Sequence, residues 1–237
     1  MSDPIIEVTD VSLALDGAVA LSGVTFAVER GESFCITGRA GSGQTLLLKL
    51  CAGLLAPTSG AVSRNFRPAG EGNHLMRAGF VFEYGGLISN LSVFDNIALP
   101  LRYHTFLSEK EVAAKVDAVL ARLHISDHRD ARPAQLSLGT RKVASIARAI
   151  AMRPQIIYYD EPLLGLDAAS AEMVEAVMCE ILAEGVTFVV VSHNVDFVRR
   201  VAGRATVLGR NTILDIGALA ELSDSKDPDV RLFFEKM

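Results

Sequence analysis

The stretch Gly38-Arg39-Ala40-Gly41-Ser42-Gly43-Gln44-Thr45 constrains this chain more than any other. It fits the pattern G-x-x-x-x-G-K-[ST] at every position except one, where Gln44 stands in place of the lysine. A loop of this kind turns a strand into a helix so tightly that successive backbone N–H groups line a concave surface. The helix N-terminus adds a partial positive charge, and together they form a cradle for phosphate. The flanks have the required character. Ser33 to Thr37 (Ser-Phe-Cys-Ile-Thr) reads as a short apolar strand, and Leu46 to Ala52 reads as a helix ended by Gly53. The lysine of such a loop adds a full charge at the β/γ-phosphates of a nucleotide. Here the cradle is written out and that charge is missing.

With 237 residues the chain has room for one large domain or two lobes around a substantial core. A net charge of −5 offers no basic excess to meet a nucleic-acid backbone, so no nucleic-acid partner is expected. No apolar run approaches the roughly 20 residues needed to span a bilayer. The start, Met-Ser-Asp-Pro, lacks the basic and apolar regions of a signal peptide. The three cysteines, Cys35, Cys51 and Cys179, lie in apolar stretches and read as reduced, buried packing residues.

Along the chain, Ile5 to Val11 and Val24 to Val28 read as strands, Ala61 to Met76 as irregular, and Gly79 to Glu83 as a further strand. From Val93 to Ile150 the pattern turns helical, with Val112, Val116, Val119, Leu120 and Leu123 at helical spacing. Ile156 to Tyr159 reads as a buried strand, and Val186 to Val191 as a β-branched strand of the kind covered on both faces of a parallel sheet. A helix from Ala169 to Leu182 separates them, and Thr206 to Leu208 with Thr212 to Ile216 form a hairpin around Arg210-Asn211.

Four further motifs follow the phosphate loop in a fixed order. They are Leu136-Ser137-Leu138-Gly139-Thr140 before a helix, Ile156-Ile157-Tyr158-Tyr159-Asp160-Glu161-Pro162, Gly165-Leu166-Asp167, and Val189-Val190-Val191-Ser192-His193. Taken together they resemble the ATP-binding-cassette (ABC) ATPases over nearly the whole chain. The implied fold is an α/β P-loop NTPase with a mainly parallel core sheet, an antiparallel β-subdomain and an inserted helical subdomain. As one cassette domain over 1–237, it would build its core and β-lobe from 1–86 and 151–237, and its helical subdomain from about 87–150. Val93-Phe94-Asp95-Asn96-Ile97-Ala98-Leu99-Pro100-Leu101-Arg102 and Asp227-Pro228-Asp229-Val230-Arg231-Leu232-Phe233-Phe234 resemble the nucleotide-binding subunit of Mla-type phospholipid transporters.

That resemblance implies ATP and Mg²⁺ as cofactors. Gly38, Arg39, Ala40, Gly41, Ser42, Gly43, Gln44, Thr45 and Leu46 would hold the nucleotide. Ser137 and Gly139 would face the nucleotide of a second cassette. Thr45, Glu83 and Asp160 would serve the metal, Glu161 would be the general base, and His193 would contact the γ-phosphate and the attacking water. The implied partners are a membrane permease subunit, a second ABC ATPase subunit and an MCE-domain lipid-binding protein. The implied place is peripheral, on the cytoplasmic face of the inner (plasma) membrane.

Five positions depart from the family. Besides Gln44, Leu15 stands where an aromatic residue stacks on adenine, and Glu83 where a glutamine reaches the metal and water. Leu138 and Thr140 replace Gly and Gln in the signature. A charged hydrogen bond contributes roughly 1.5–3 kcal/mol, so loss of the lysine alone weakens ATP binding about ten- to a hundred-fold. The sequence therefore predicts a cassette with impaired or residual ATPase activity. A non-catalytic scaffold is the rival reading.

Overall fold

A computed structural model describes residues 3–67 and 78–235. The first part of the chain holds β1 (Pro4–Leu15), β2 (Ala18–Glu29), β3 (Ser33–Gly38), α1 (Gln44–Ala52), β4 (Ser59–Arg64) and β5 (Ala78–Val81). The middle holds α2 (Val93–His104), α3 (Glu109–Arg122) and α4 (Leu138–Ile150). The rest holds β6 (Ile156–Asp160), α5 (Ala168–Ala183), β7 (Thr187–Val191), α6 (Val195–Val201), β8 (Arg204–Leu208), β9 (Ile213–Ala218), α7 (Leu219–Ser223) and α8 (Pro228–Glu235).

The chain divides into two compact units. One is built from residues 1–66, 158–161 and 182–237, the other from 67–157 and 162–181. The first unit carries two sheets. In the smaller, β1 lies between β2 and β4 and pairs antiparallel with both. The larger contains the strand order β6-β7-β3-β8-β9. There β3 runs parallel to β7 and β8, and β9 turns back antiparallel to β8. Every residue of β3 and β7 is buried, which explains their mainly apolar composition, broken only by Ser33, Thr37 and Thr187. Phe26 on β2 stacks on Phe34 on β3 with centroids 5.2 Å apart, joining the two sheets through a buried aromatic pair.

The second unit is mainly helical. Ser92 caps α2 by accepting from the Asp95 N–H, and Ser108 with Glu111 forms a full capping box at the start of α3. Helix α4 packs against α2, α3 and β5, with nine of its residues buried.

Three expectations need correction. Ala61 to Met76 is not irregular throughout: Ser59–Arg64 is strand β4, because pairing with β1 supplies the hydrogen bonds that its weak pattern did not announce. The later part of that stretch lies outside the described residues. The strand expected to reach Glu83 ends at Val81, and the Gly85 N–H closes a turn onto the Phe82 carbonyl. Cys179 is exposed on α5, whereas Cys35 and Cys51 are buried.

Candidate functional site

Strand β3 delivers the chain at Gly38, and α1 starts at Gln44. The α1 cap is Gly43, in a left-handed conformation and with no side chain to occupy the first N–H groups of the helix. These donors are left for an anion. Gly41 is also left-handed, at φ +79°, and a Cβ built there would meet nothing within 4 Å. The loop is thus shaped as a cradle with open space at its bend, which fits a nucleotide's phosphates. Gln44 is only 4% exposed, and its Nε2 donates to the Arg39 carbonyl over 2.9 Å. The neutral amide braces the loop across its own width.

The far end of α1 is held by Arg64, which carried no sequence signal, and by Tyr158, whose motif did not announce this contact. Arg64 on β4 donates through Nε to the Cys51 carbonyl over 2.7 Å and also reaches Leu50, and the Tyr158 hydroxyl donates to Cys51 over 3.0 Å. A cation at the carbonyl end of a helix is favourable, so Arg64 both caps α1 and complements its dipole.

Opposite the first turn of α1 stands the end of β6. The Thr45 hydroxyl donates to Asp160 Oδ1 over 3.0 Å, and Asp160 is 5% exposed. A hydroxyl and a carboxylate side by side at a phosphate cradle are hard oxygen donors of the kind Mg²⁺ takes. Glu161 follows with φ +46°, a left-handed conformation that a residue with a side chain adopts at a cost. Its N–H donates to the Val191 carbonyl, which ties β6 to β7 at the site. His193 Nδ1 lies 2.9 Å from the Gly38 carbonyl. Because a carbonyl only accepts, that nitrogen is the donor. The same ring turns Nε2 to within 3.4 Å of Glu161 Oε1. One unit therefore brings together the phosphate loop, both carboxylates and the histidine.

The other predicted residues lie in the second unit. Glu83 is half-buried, and its carboxylate accepts from the Tyr84 phenol, raising that phenol's pKa. The loop behind it is clamped from three sides. Ser145 donates to the Gly85 carbonyl, and Arg148 donates to the Gly86 carbonyl over 2.8 Å. Asn96, fully buried, accepts from the Ile88 N–H over 2.7 Å and donates to the Ile88 and Ser92 carbonyls. Asn96 stood inside a recognised motif, but nothing local revealed its role.

Ser137 proves to be the α4 cap, accepting from the Thr140 N–H over 3.1 Å. Gly139 is required by packing, since a Cβ there would sit 2.7 Å from the Ser170 Cβ on α5. Lys142 is fully buried, and its Nζ donates to the Pro162 and Leu164 carbonyls over 2.9 and 3.0 Å. It thus holds the segment that follows the carboxylate pair against α4. Asp167 accepts from the Ser170 N–H over 2.8 Å, which lowers its carboxyl pKa.

Residues 21–164 match the family model described as "ABC transporter". The chain belongs to that family. It is 33% identical to the intermembrane phospholipid transport system ATP-binding protein MlaF of Escherichia coli K12, over 98% of this chain and 88% of the relative. It is 36% identical to the methionine import ATP-binding protein MetN of Chlamydia pneumoniae, over 92% of this chain and 67% of the relative. Among solved structures, a dimeric ATP-binding cassette in a post-hydrolysis state bound to ADP and Pi superposes with a TM-score of 0.79. It shares 26% identity, over 90% of this chain and 98% of that one.

As an ABC cassette, the chain combines an ordered phosphate loop and carboxylate pair with unusual residues around them. Leu15 ends β1 beside the Asp16-Gly17 turn and is 42% exposed, an apolar side chain without a ring to stack on a base. Leu138 opens α4, and its Cδ2 lies 3.2 Å from the position of a Cβ on Gly165.

Proposed function

We propose that this chain is the ATP-binding subunit of a membrane transporter for phospholipid or a related lipid, with reduced nucleotide turnover. The observation that carries the proposal is the Thr45–Asp160 pair beside a phosphate loop whose Gln44 is turned onto the loop itself. The acid and base machinery is in order, and the cation is missing. The lipid reading draws on MlaF, which matches along most of its own length, and on the motif around Val93–Arg102. The methionine importers are the competing substrate class.

In this reading the N–H groups of Gly41 and of Gly43 to Leu46 bind the phosphates, and Thr45 and Asp160 would hold Mg²⁺. Magnesium, when bound, would offset the charge of the phosphates. Glu161 is the general base that takes a proton from the attacking water. His193, fixed by its hydrogen bond to Gly38, presents Nε2 to the same region. Ser137 and Gly139 face the nucleotide of a second cassette, identical or not. A permease receives the helical second unit, and an MCE-domain protein handles lipid beyond it. The chain lies peripherally on the cytoplasmic membrane face. These groups act by position, which is where phosphoryl-transfer catalysis resides.

A second reading is favoured by Gln44, Leu138 and Thr140 together: a cassette that holds the permease without turning nucleotide over. Measuring ATP affinity with Mg²⁺ and steady-state phosphate release on the purified protein separates the two. Weak but measurable turnover, lost in Glu161→Gln, supports the first. Binding without release, unchanged in Glu161→Gln, supports the second. Co-purification with a permease tests both against a soluble role.

A further inference from the structure

We infer that Arg39 supplies the phosphate-binding charge that Gln44 lacks, and that Asp229 on α8 competes for it. The inference rests on the nucleotide-binding reading above. Arg39 is the only charged residue between Gly38 and Thr45, and its own carbonyl receives the Gln44 amide. The backbone of the loop's cation is thus in direct contact with the residue that replaced the lysine. Its guanidinium is not committed to the interior: the side chain is 71% exposed, and Nη2 pairs with Asp229 Oδ1 over 2.7 Å.

Asp229 is itself 52% exposed, and an ion pair between two such groups is weak and screened. A polyphosphate carries more charge than one carboxylate and accepts a guanidinium through two parallel bonds, so it is the stronger acceptor. The exchange has room to occur. A cavity of about 590 Å³ lies beside the loop, lined among others by Arg39, Ser42, Arg210, Asn211, Asp229 and Phe233. The arginine side chain can turn within it while the loop backbone, braced by Gln44, stays in place. With Asp229 engaged the loop is short of charge, and once a polyphosphate displaces Asp229 the guanidinium serves the phosphates.

The test measures equilibrium affinity for a fluorescent ATP analogue with Mg²⁺, by anisotropy, on the full chain. The variants are Arg39→Gln, Arg39→Lys, Asp229→Asn, the double variant Arg39→Gln/Asp229→Asn, and Gln44→Lys. Circular dichroism confirms that each is folded. Arg39→Gln is expected to weaken binding about tenfold, with Arg39→Lys recovering most of that. Asp229→Asn is expected to tighten binding about two- to fivefold, an effect that disappears in the double variant. If Arg39→Gln binds within twofold of the parent while Gln44→Lys binds more tightly, the inference is overturned and the nucleotide reading survives. If neither the parent nor Gln44→Lys binds, the nucleotide reading fails and takes the inference with it.

Discussion

The Thr45 hydroxyl donates to Asp160 Oδ1 over 3.0 Å, across 115 positions of sequence. This bond fixes the first turn of α1 against the end of β6 and sets two oxygen atoms side by side, where the proposed Mg²⁺ would be held. Asp160→Asn keeps the hydrogen-bond acceptor but removes the charge. Its fold is therefore expected to hold, while the tightening of ATP binding by Mg²⁺ disappears. Affinity measured with Mg²⁺ and with EDTA checks this; an undiminished Mg²⁺ effect would remove Asp160 from the metal site.

Gln44→Lys is expected to restore binding more than turnover. The new charge at the β/γ-phosphates contributes roughly 1.5–3 kcal/mol, about ten- to a hundred-fold in affinity. Leu138, Thr140 and Glu83 remain, so phosphate release stays low until Leu138→Gly, Thr140→Gln and Glu83→Gln are added. Robust turnover in the unmodified protein would rule out the premise that the site is impaired.

Lys142→Met is expected to destabilise the second unit. Removal of the buried ammonium leaves the Pro162 and Leu164 carbonyls without their donor, at about 1–3 kcal/mol for each unsatisfied group. Urea denaturation measures the loss. A midpoint equal to the parent's would show that water or another donor replaces the lysine.

The cysteines divide by exposure. Burial pushes the Cys51 thiol up to about 12 and raises Cys35 as well, so neither forms thiolate in the native protein at neutral pH. A thiol reagent at pH 7.5 should label Cys179 quickly and the other two only after denaturation. The same shift sets an alkaline limit. Above the ordinary thiol value of 9.0 the unfolded chain loses these protons first, so stability falls as pH rises toward about 12. Labelling of three thiols in the native state would contradict the burial.

Isolated subunits are expected to associate weakly even with ATP, because in the proposed reading Gln44 lies at one contact with the nucleotide and Leu138 with Thr140 at the other. Sedimentation at low micromolar concentration checks this, and a tight ATP-dependent dimer would refute it.

The phosphate loop and the buried strands β3, β6 and β7 were legible in the sequence, because each is set by neighbouring residues. Steric demand fixes the glycines, and two-sided burial fixes the apolar runs. Strand β4 was not legible, since its hydrogen bonds come from β1 and its own residues are mostly exposed. The cysteine on α5 misled for a similar reason: an apolar neighbourhood in sequence does not say which face of a helix is covered. Only the tertiary structure placed His193 Nδ1 on the Gly38 carbonyl, Arg64 on the end of α1, Lys142 on two carbonyls and Arg39 on Asp229. In those contacts, partners up to 190 positions apart meet through single directional bonds. Composition and periodicity leave no trace of such a meeting, because it exists only once the chain has closed on itself.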